Sequence, residues 1–463
     1  MNPASALQAQ ALAAAPLAPP VLVNPPLGAA PVPHTAGELA RYGAPQFALS
    51  FVALPLYVFL PEHFATRYAV PLGFLGAVLL LARMADAVLD PIIGRLADRM
   101  MGTGHGWRFM ASSGVVLVFG FALLLSFPAA LPYAPQPGAF AAVMGLALLL
   151  TYAGYSAVGV THQAWGAGLG HNEPERARTF AWRESLGLAG VLVAATVTQL
   201  GGAAGFTVVF TISLVLGLWL VKSAPMPRHA LGQQTLQGLR AALEPLHHVA
   251  FRRLLLVYLT SGVAASVPAT LVLFFIRDRI EAADLSGLYL FIYFAFGAAC
   301  VPLWLRAVRR YGAAASWLLG MALTVAVFLW AALLQPGDRW AYAAVCAASG
   351  LALGSDLVLP PALLAGLIRS LGHGGRLEGS YFGIWGMATK LTLALAAGIA
   401  LPLLADLGYT PGTPAIGTLP PLVMAYCLLP CALKLLAGAL LWFGWMRLAG
   451  NPEFCQQQPR TLP

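Results

Sequence analysis

RMADAVLDPIIGRLADRM, Arg83 to Met100, closes an apolar run that begins near Leu72. Arg83, Asp86 and Asp90 fall at i, i+3 and i+7, a spacing that gathers side chains on one face of a helix. Carboxylates inside an apolar segment are costly and mark functional sites by default. Pro91 and Gly94 follow, and then Arg95, Asp98 and Arg99 mark an exit into water. Two blander readings stand beside the functional one. The charges form a structural salt bridge without a ligand, or the helix ends early and leaves the acids in solvent. Ala87, Val88 and Leu89 between the acids, with Ile92 and Ile93 after them, argue against the last.

Similar apolar runs make up most of the chain. Of 463 residues 59% are hydrophobic and 9% charged, against about 25% charged in a soluble domain. Many runs reach the ~20 residues that cross a bilayer. The fold class implied is an all-α polytopic membrane protein with twelve membrane segments in two six-helix bundles. The segments lie near 42–61, 71–97, 108–131, 138–168, 179–200 and 203–224, then 252–276, 285–306, 313–335, 340–368, 379–405 and 419–448. The expected organisation is a disordered Ala/Pro-rich tail over 1–40, a bundle over 41–224 and a connector over 225–250. A second bundle over 251–448 and a short tail over 449–463 complete it. In the connector, QQTLQGLRAALEPL has the character of a short amphipathic helix on the membrane surface. No basic residue precedes Arg41 and prolines interrupt every earlier apolar run, which argues against a cleaved signal peptide.

The net charge of +9 raises nucleic acid as a partner, but the positions of the charges give another account. Basic residues gather in alternate loops, among them Arg95, Arg99 and Arg108, Arg176 and Arg178, Arg306 to Arg310, and Arg369 and Arg376. The intervening loops hold only Arg67, Arg277, Arg279 and Arg339. That bias is the positive-inside signature and predicts cytoplasmic termini, with no nucleic-acid partner. The five cysteines lie mostly in apolar runs and read as small buried hydrophobes. Cys427 and Cys431 have no partner histidines to suggest zinc.

The two halves echo each other. PIIGRLADR (Pro91 to Arg99) matches PLWLRAVRR (Pro302 to Arg310) in the proline and two arginines, with Arg309 in place of Asp98. AWGAGL (Ala164 to Leu169) likewise matches ALLAGL (Ala362 to Leu367). Such a parallel duplication places a substrate site near the midplane between the halves.

At this point GRLADR resembles the loop signature of the major facilitator superfamily. RxxDxxxDP, as Arg83, Asp86, Asp90 and Pro91, resembles its glycoside–pentoside–hexuronide:cation symporters. HQAWGAGL (His162 to Leu169) with ERAR (Glu175 to Arg178), GSDLVLPPALLAGL (Gly354 to Leu367) and EGSYFGIWGMATKL (Glu378 to Leu391) extend the likeness over residues 41 to 448. The resemblance implies that Asp86 and Asp90 bind the coupling cation, Na⁺ or H⁺. Independently, a desolvated carboxylate pair can hold a hard cation or share a proton. The resemblance further implies that Lys390 senses cation and substrate, that Arg183 adds to the polar centre, and that Gly94, Arg95, Asp98 and Arg99 form a gating loop. Arg83, His162, Gln163, Trp165, Asp356, Tyr381 and Trp385 complete the substrate and coupling candidates. Each has a structural alternative. These are a folding ion pair for Lys390, a salt bridge with Glu184 or Glu175 for Arg183, helix–helix hydrogen bonds for His162 and Gln163, and packing for the aromatics. For Asp356 the alternative is a structural or gating role.

The substrate acids of galactoside-transporting members are missing. The first segment, Tyr42 to Leu60, has no acid, and Gly159, Gly168 and Gly366 stand where relatives carry carboxylates. Fewer oxygens favour H⁺ over Na⁺. No GxSxG, HExxH, CxxC or GK[ST] motif appears, so neither an enzyme nor an ATP-driven pump is expected, and no cofactor beyond the coupling ion. The expected function is cation-coupled symport of a sugar-like solute in a bacterial inner membrane, with a monomer sufficient. The alternatives are a carrier of an amphipathic lysolipid and a non-transporting membrane sensor or scaffold.

Overall fold

The computed structural model describes residues 33–54, 70–130, 136–200, 202–227, 239–409 and 420–447, with isolated positions between 55 and 69 and at 133. Most of the N-terminal tail, the whole tail over 449–463, Cys455 and the connector's 228–238 lie outside that set. The first helix, α1 (Ala36–Leu54), starts six residues before the expected segment. Its N-terminus is a capping box. Thr35 Oγ accepts from the Glu38 N–H at 3.3 Å, and Glu38 Oε2 accepts from the Thr35 N–H at 2.7 Å.

The chain continues through α2 (Leu72–Gly102), α3 (Gly106–Ala130), α4 (Pro137–Ala167), α5 (Glu173–Leu200) and α6 (Gly202–Lys222). After the connector come α7 (Val249–Asp278), α8 (Ser286–Ala299), α9 (Val301–Tyr311), α10 (Ala313–Leu333), α11 (Arg339–Ser370) and α12 (Glu378–Asp406). The last, α13 (Pro421–Met446), carries π turns at Met424–Leu428 and Trp442–Met446. Among the described residues eight helices are apolar and long enough to span a bilayer, and α8 with α9 makes a ninth pair bent by 41°. The break falls at Cys300, just before Pro302, whereas Pro91 lies inside the unbroken α2. The helices outside this group, α1, α2 and α5, include the two that carry Arg83, Asp86 and Asp90, and Arg178, Arg183 and Glu184.

Helix faces follow the residue pattern. On α2, Ala82, Asp86, Asp90, Ile93 and Ala97 are buried, and Leu81, Met84, Val88 and Ile92 are exposed. The greasy side faces outward and the acids inward, the reverse of a soluble amphipathic helix. Val208, Ile212, Val215 and Trp219 make an equivalent exposed stripe on α6. These stripes are lipid-facing surface.

Three apolar clusters form the core. One stays within Tyr42–Ala224 and another within Val263–Cys431. The third joins both sets of helices at the arginine-rich end, where Ile93, Met101 and Phe180 meet Phe251, Leu367 and Tyr381. The connector adds to this end with a 3₁₀ helix over Leu239–His247, and the first six residues of the expected amphipathic stretch lie outside the described set. The 3₁₀ helix packs against α2, α7 and α12, burying Ala242. Pro245 lies within it, and a proline cannot supply the N–H an α-helix needs.

Candidate functional site

Three helices bring the predicted acids together. Asp86 and Asp90 lie one turn apart on the buried face of α2, and Lys390 comes from α12. Its Nζ is 2.7 Å from Asp86 Oδ2, 2.7 Å from Asp90 Oδ1 and 2.8 Å from Ser156 Oγ on α4. Ser156 Oγ in turn donates to Asp86 Oδ1 at 2.9 Å. One ammonium thus serves two carboxylates, leaving a surplus negative charge in a desolvated place. Asp90 Oδ2 is buried without a hydrogen-bond partner and faces Gly386, where a Cβ would lie 3.0 Å away. An uncompensated charge at such depth costs about 2.5–3.5 kcal/mol on insertion scales.

This cluster borders a cavity of about 260 Å³, near the lower limit of small-molecule sites. Asp90, Gln163, Arg183, Asp356, Trp385 and Lys390 line it, with Gln46, Tyr155, Glu184, Tyr258 and Thr389. Arg183 lies in the wall and pairs with its neighbour Glu184. Tyr258 and Trp385 stack at 3.8 Å between ring centroids. Gly159 opens onto the same space.

Other candidates lie elsewhere. His162 is fully buried, with Nε2 2.6 Å from the Tyr42 carbonyl and its ring against that tyrosine. Trp165 donates from Nε1 to the Pro225 carbonyl at 2.9 Å. Tyr381 is fully buried, its OH 3.0 Å from His373 Nδ1 and its ring edge-on to Phe251. None of the three lines the cavity, because each is spent on helix–helix packing at the arginine-rich end. Asp86 stands behind Lys390, and Arg83 lies beside Tyr152 on α4.

The gating-loop candidates divide in the same way. Asp98 is buried and accepts at Oδ1 from the Gly379 N–H at 2.6 Å, and at Oδ2 from the Ser380 N–H and hydroxyl at 2.8 and 2.6 Å. It therefore caps the first turn of α12 from across the molecule, where helix N–H groups lack intrahelical partners. Gly94 makes this approach possible, since a Cβ there would be driven into the Gly379 carbonyl. Arg95 is half-buried and Arg99 exposed.

A second charge cluster went unseen in the sequence. Lys434 on α13, 1% exposed, places Nζ 2.6 Å from Asp356 Oδ2 and 2.8 Å from Ser261 Oγ. Trp317 Nε1 donates to Asp356 Oδ1 at 2.9 Å. The chain has three lysines, and Lys390 and Lys434 both fall inside apolar runs. The rule that flagged Asp356 therefore applied to Lys434 as well.

Comparison with known proteins agrees with this architecture. Residues 41–446 match the family model described as MFS/sugar transport protein. The inner membrane symporter YicJ of Escherichia coli (strain K12) is 27% identical over 172 residues, which span 36% of this chain and 36% of that protein. A bacterial homologue of the iron transporter ferroportin, solved in an outward-facing state, superposes with a TM-score of 0.66 at 16% identity over 88% of this chain and 97% of its own. The transporter FucP, solved in the outward conformation, gives 0.65 at 13% identity over 88% and 98%. At such identities the likeness of structure establishes the fold alone. Taken with the match along almost the whole helical region, this chain belongs to the MFS/sugar transport family, a multi-pass membrane transporter of the major facilitator fold and not an enzyme.

Proposed function

We propose that the protein is a proton-coupled symporter of a small sugar-like solute, working by alternating access between bundles 41–224 and 251–448. The observation that carries this reading is the arrangement of Asp86, Asp90 and Lys390. Two acids and one ammonium leave a charge of −1 that a single proton neutralises, and Asp90 Oδ2 is the oxygen without a partner. Lys390 already fills the space between the carboxylates where a sodium ion would need oxygen ligands. The proton is therefore the better-suited coupling ion.

The acids sit on α2 and the lysine on α12, so the ion pair bridges the two bundles. With the proton bound, one carboxylate rather than two holds Lys390, and the bridge weakens. Solute binding then completes the closure of the cavity. Gln46, Gln163, Thr389 and the stacked Tyr258–Trp385 pair offer the polar and aromatic surface that a small hydroxylated solute needs. The 260 Å³ volume and the charged and amide side chains set in its wall favour that solute over a lysolipid. With the arginine-rich end taken as cytoplasmic, the shared apolar cluster and the Asp98 cap there correspond to an outward-facing state. The symporter name of YicJ is consistent with this reading.

The test is uptake into proteoliposomes under imposed H⁺ or Na⁺ gradients, with radiolabelled methyl glycosides and a lysolipid as probes. The expected result is accumulation of a glycoside driven by H⁺ alone, falling at least tenfold in Asp86→Asn and Asp90→Asn. Uptake driven by Na⁺ instead, or unchanged in both variants, would overturn the coupling scheme.

A further inference from the structure

We infer that Asp356 is the carboxylate by which this transporter reads the hydroxyl groups of its solute, and that Lys434 is the residue that positions it. The assignment rests on the sugar reading above and names its specificity element.

Four helices converge on this acid. Lys434 of α13 and Trp317 of α10 donate to Oδ2 and Oδ1 at 2.6 and 2.9 Å, and Ser261 of α7 bonds the same ammonium at 2.8 Å. Asp356 itself comes from α11 and lines the cavity with its side chain 18% exposed, while the Lys434 side chain is at 0%. An ionised carboxylate offers about four acceptor positions. Two strong donors hold it from the protein side and Ser261 Oγ adds a long bond to Oδ1 at 3.4 Å, leaving one acceptor position at the cavity wall. Its partner cation, Lys434, is separate from the Asp86–Asp90–Lys390 cluster.

The two lysine clusters differ in a way that separates their tasks. Lys390 links helices on either side of the cavity, and its geometry changes whenever the two bundles move. Every member of the Asp356 cluster belongs to helices within 249–446, so the pair does not cross between the two bundles. A carboxylate paired within one bundle is suited to recognition rather than to switching.

Its surroundings match that task. Tyr258 and Trp385 stack beside it, and the Tyr258 hydroxyl lies 2.7 Å from Thr389 Oγ1. A flat aromatic face beside a fixed carboxylate suits a ring that bears hydroxyl donors. On the opposite wall, Gly159 carries no carboxylate and Tyr42–Leu54 contains none. The carboxylates that do line that wall are tied up, Asp90 by Lys390 and Glu184 by Arg183, which leaves Asp356 as the lining acid of the opposite bundle.

The experiment is calorimetric binding of methyl β-D-glucopyranoside, methyl β-D-galactopyranoside and methyl β-D-xylopyranoside, each with its monodeoxy derivatives, to the purified full chain. Wild type is expected to bind at least one parent glycoside at least tenfold more tightly than one of its deoxy derivatives. The double variant Asp356→Asn/Lys434→Met removes both buried charges together. It should bind that parent at least tenfold more weakly and no longer distinguish the derivative, while its binding keeps the wild-type pH dependence. Undiminished affinity and discrimination in the double variant would overturn the assignment and leave the symporter reading intact. Wild type that binds none of the panel overturns the sugar reading and this assignment with it. Asp356→Glu keeps the ion pair but displaces the carboxylate, and serves if the double variant does not fold. In it, lost discrimination at a retained melting temperature supports the assignment, and unchanged discrimination refutes it.

Discussion

The end of α2 and its echo, α9, share a proline and two arginines at the same places in nine residues and finish in opposite environments. In α2 the proline sits inside a continuous helix, and Gly94 and Asp98 lie against α12. In α9 the helix restarts after a break, Leu305 replaces the glycine, and Arg309, in the place of Asp98, is exposed. The echo is anchored close to home instead. Trp304, in the place of Ile93, donates from Nε1 to the Leu351 carbonyl of α11 at 2.8 Å. A repeated motif thus keeps its position in the helix plan while only the α2 copy sends its own carboxylate to the other half; beside α9 the reach runs the other way, from Glu173 of α5 to the Ala313 N–H. What separates them is whether a backbone can approach closely enough for a carboxylate to reach another helix's N–H groups.

That difference can be broken by exchange. The largest effect is expected from Asp98→Arg, which gives α2 the residue of its echo. It removes three charge-assisted hydrogen bonds and sets a cation against a helix N-terminus. Such bonds contribute about 1.5–3 kcal/mol each and are not additive. The population closed at this end should fall by at least tenfold, read from spin-label distances between the α2–α3 and α11–α12 loops; an unchanged distance distribution would refute the latch. Gly94→Ala should act in the same direction but less strongly, because overpacking a close crossing costs about 1–3 kcal/mol. The same labels should record a smaller shift toward the open form, and none at all would mean the crossing relaxes freely. Arg309→Ala should be the mildest, within about 0.5 kcal/mol, as befits an exposed residue without such contacts. A melting curve and uptake rate like those of wild type would sharpen the contrast, and a large loss would show that the echo is also a latch.

Much of this was legible in the chain. Low charge and runs of bilayer length lead to an all-helical membrane protein, and the i, i+3, i+7 spacing put Asp86 and Asp90 on one face. Lys390 followed from the resemblance, and its pairing with both acids from the rule that intramembrane charges need partners. Ser156 was not legible, because a serine in an apolar helix looks like any small residue until a lysine and an acid reach it. Nor was the partner of Asp98. It bonds backbone N–H groups 281 and 282 positions away, and backbone groups leave no mark in a sequence. His162, Trp165 and Tyr381 leave two readings open in the sequence, because polar and aromatic residues in a membrane helix suit either a solute or a neighbouring helix. Only the packing at the arginine-rich end decides between them. Trp385, one turn beyond Tyr381, faces the cavity instead.

The cap on α12 has a thermodynamic consequence of its own. When the arginine-rich end opens, the Gly379 and Ser380 N–H groups, the Ser380 hydroxyl and the Asp98 carboxylate exchange one another for solvent. Opening this end therefore hydrates these groups, and water becomes a reactant in that part of the conformational step. Solutes excluded from protein surfaces, such as sucrose or trimethylamine N-oxide, favour the less hydrated form. If that end opens during turnover as proposed, the rate should respond to the osmotic state of the compartment it faces.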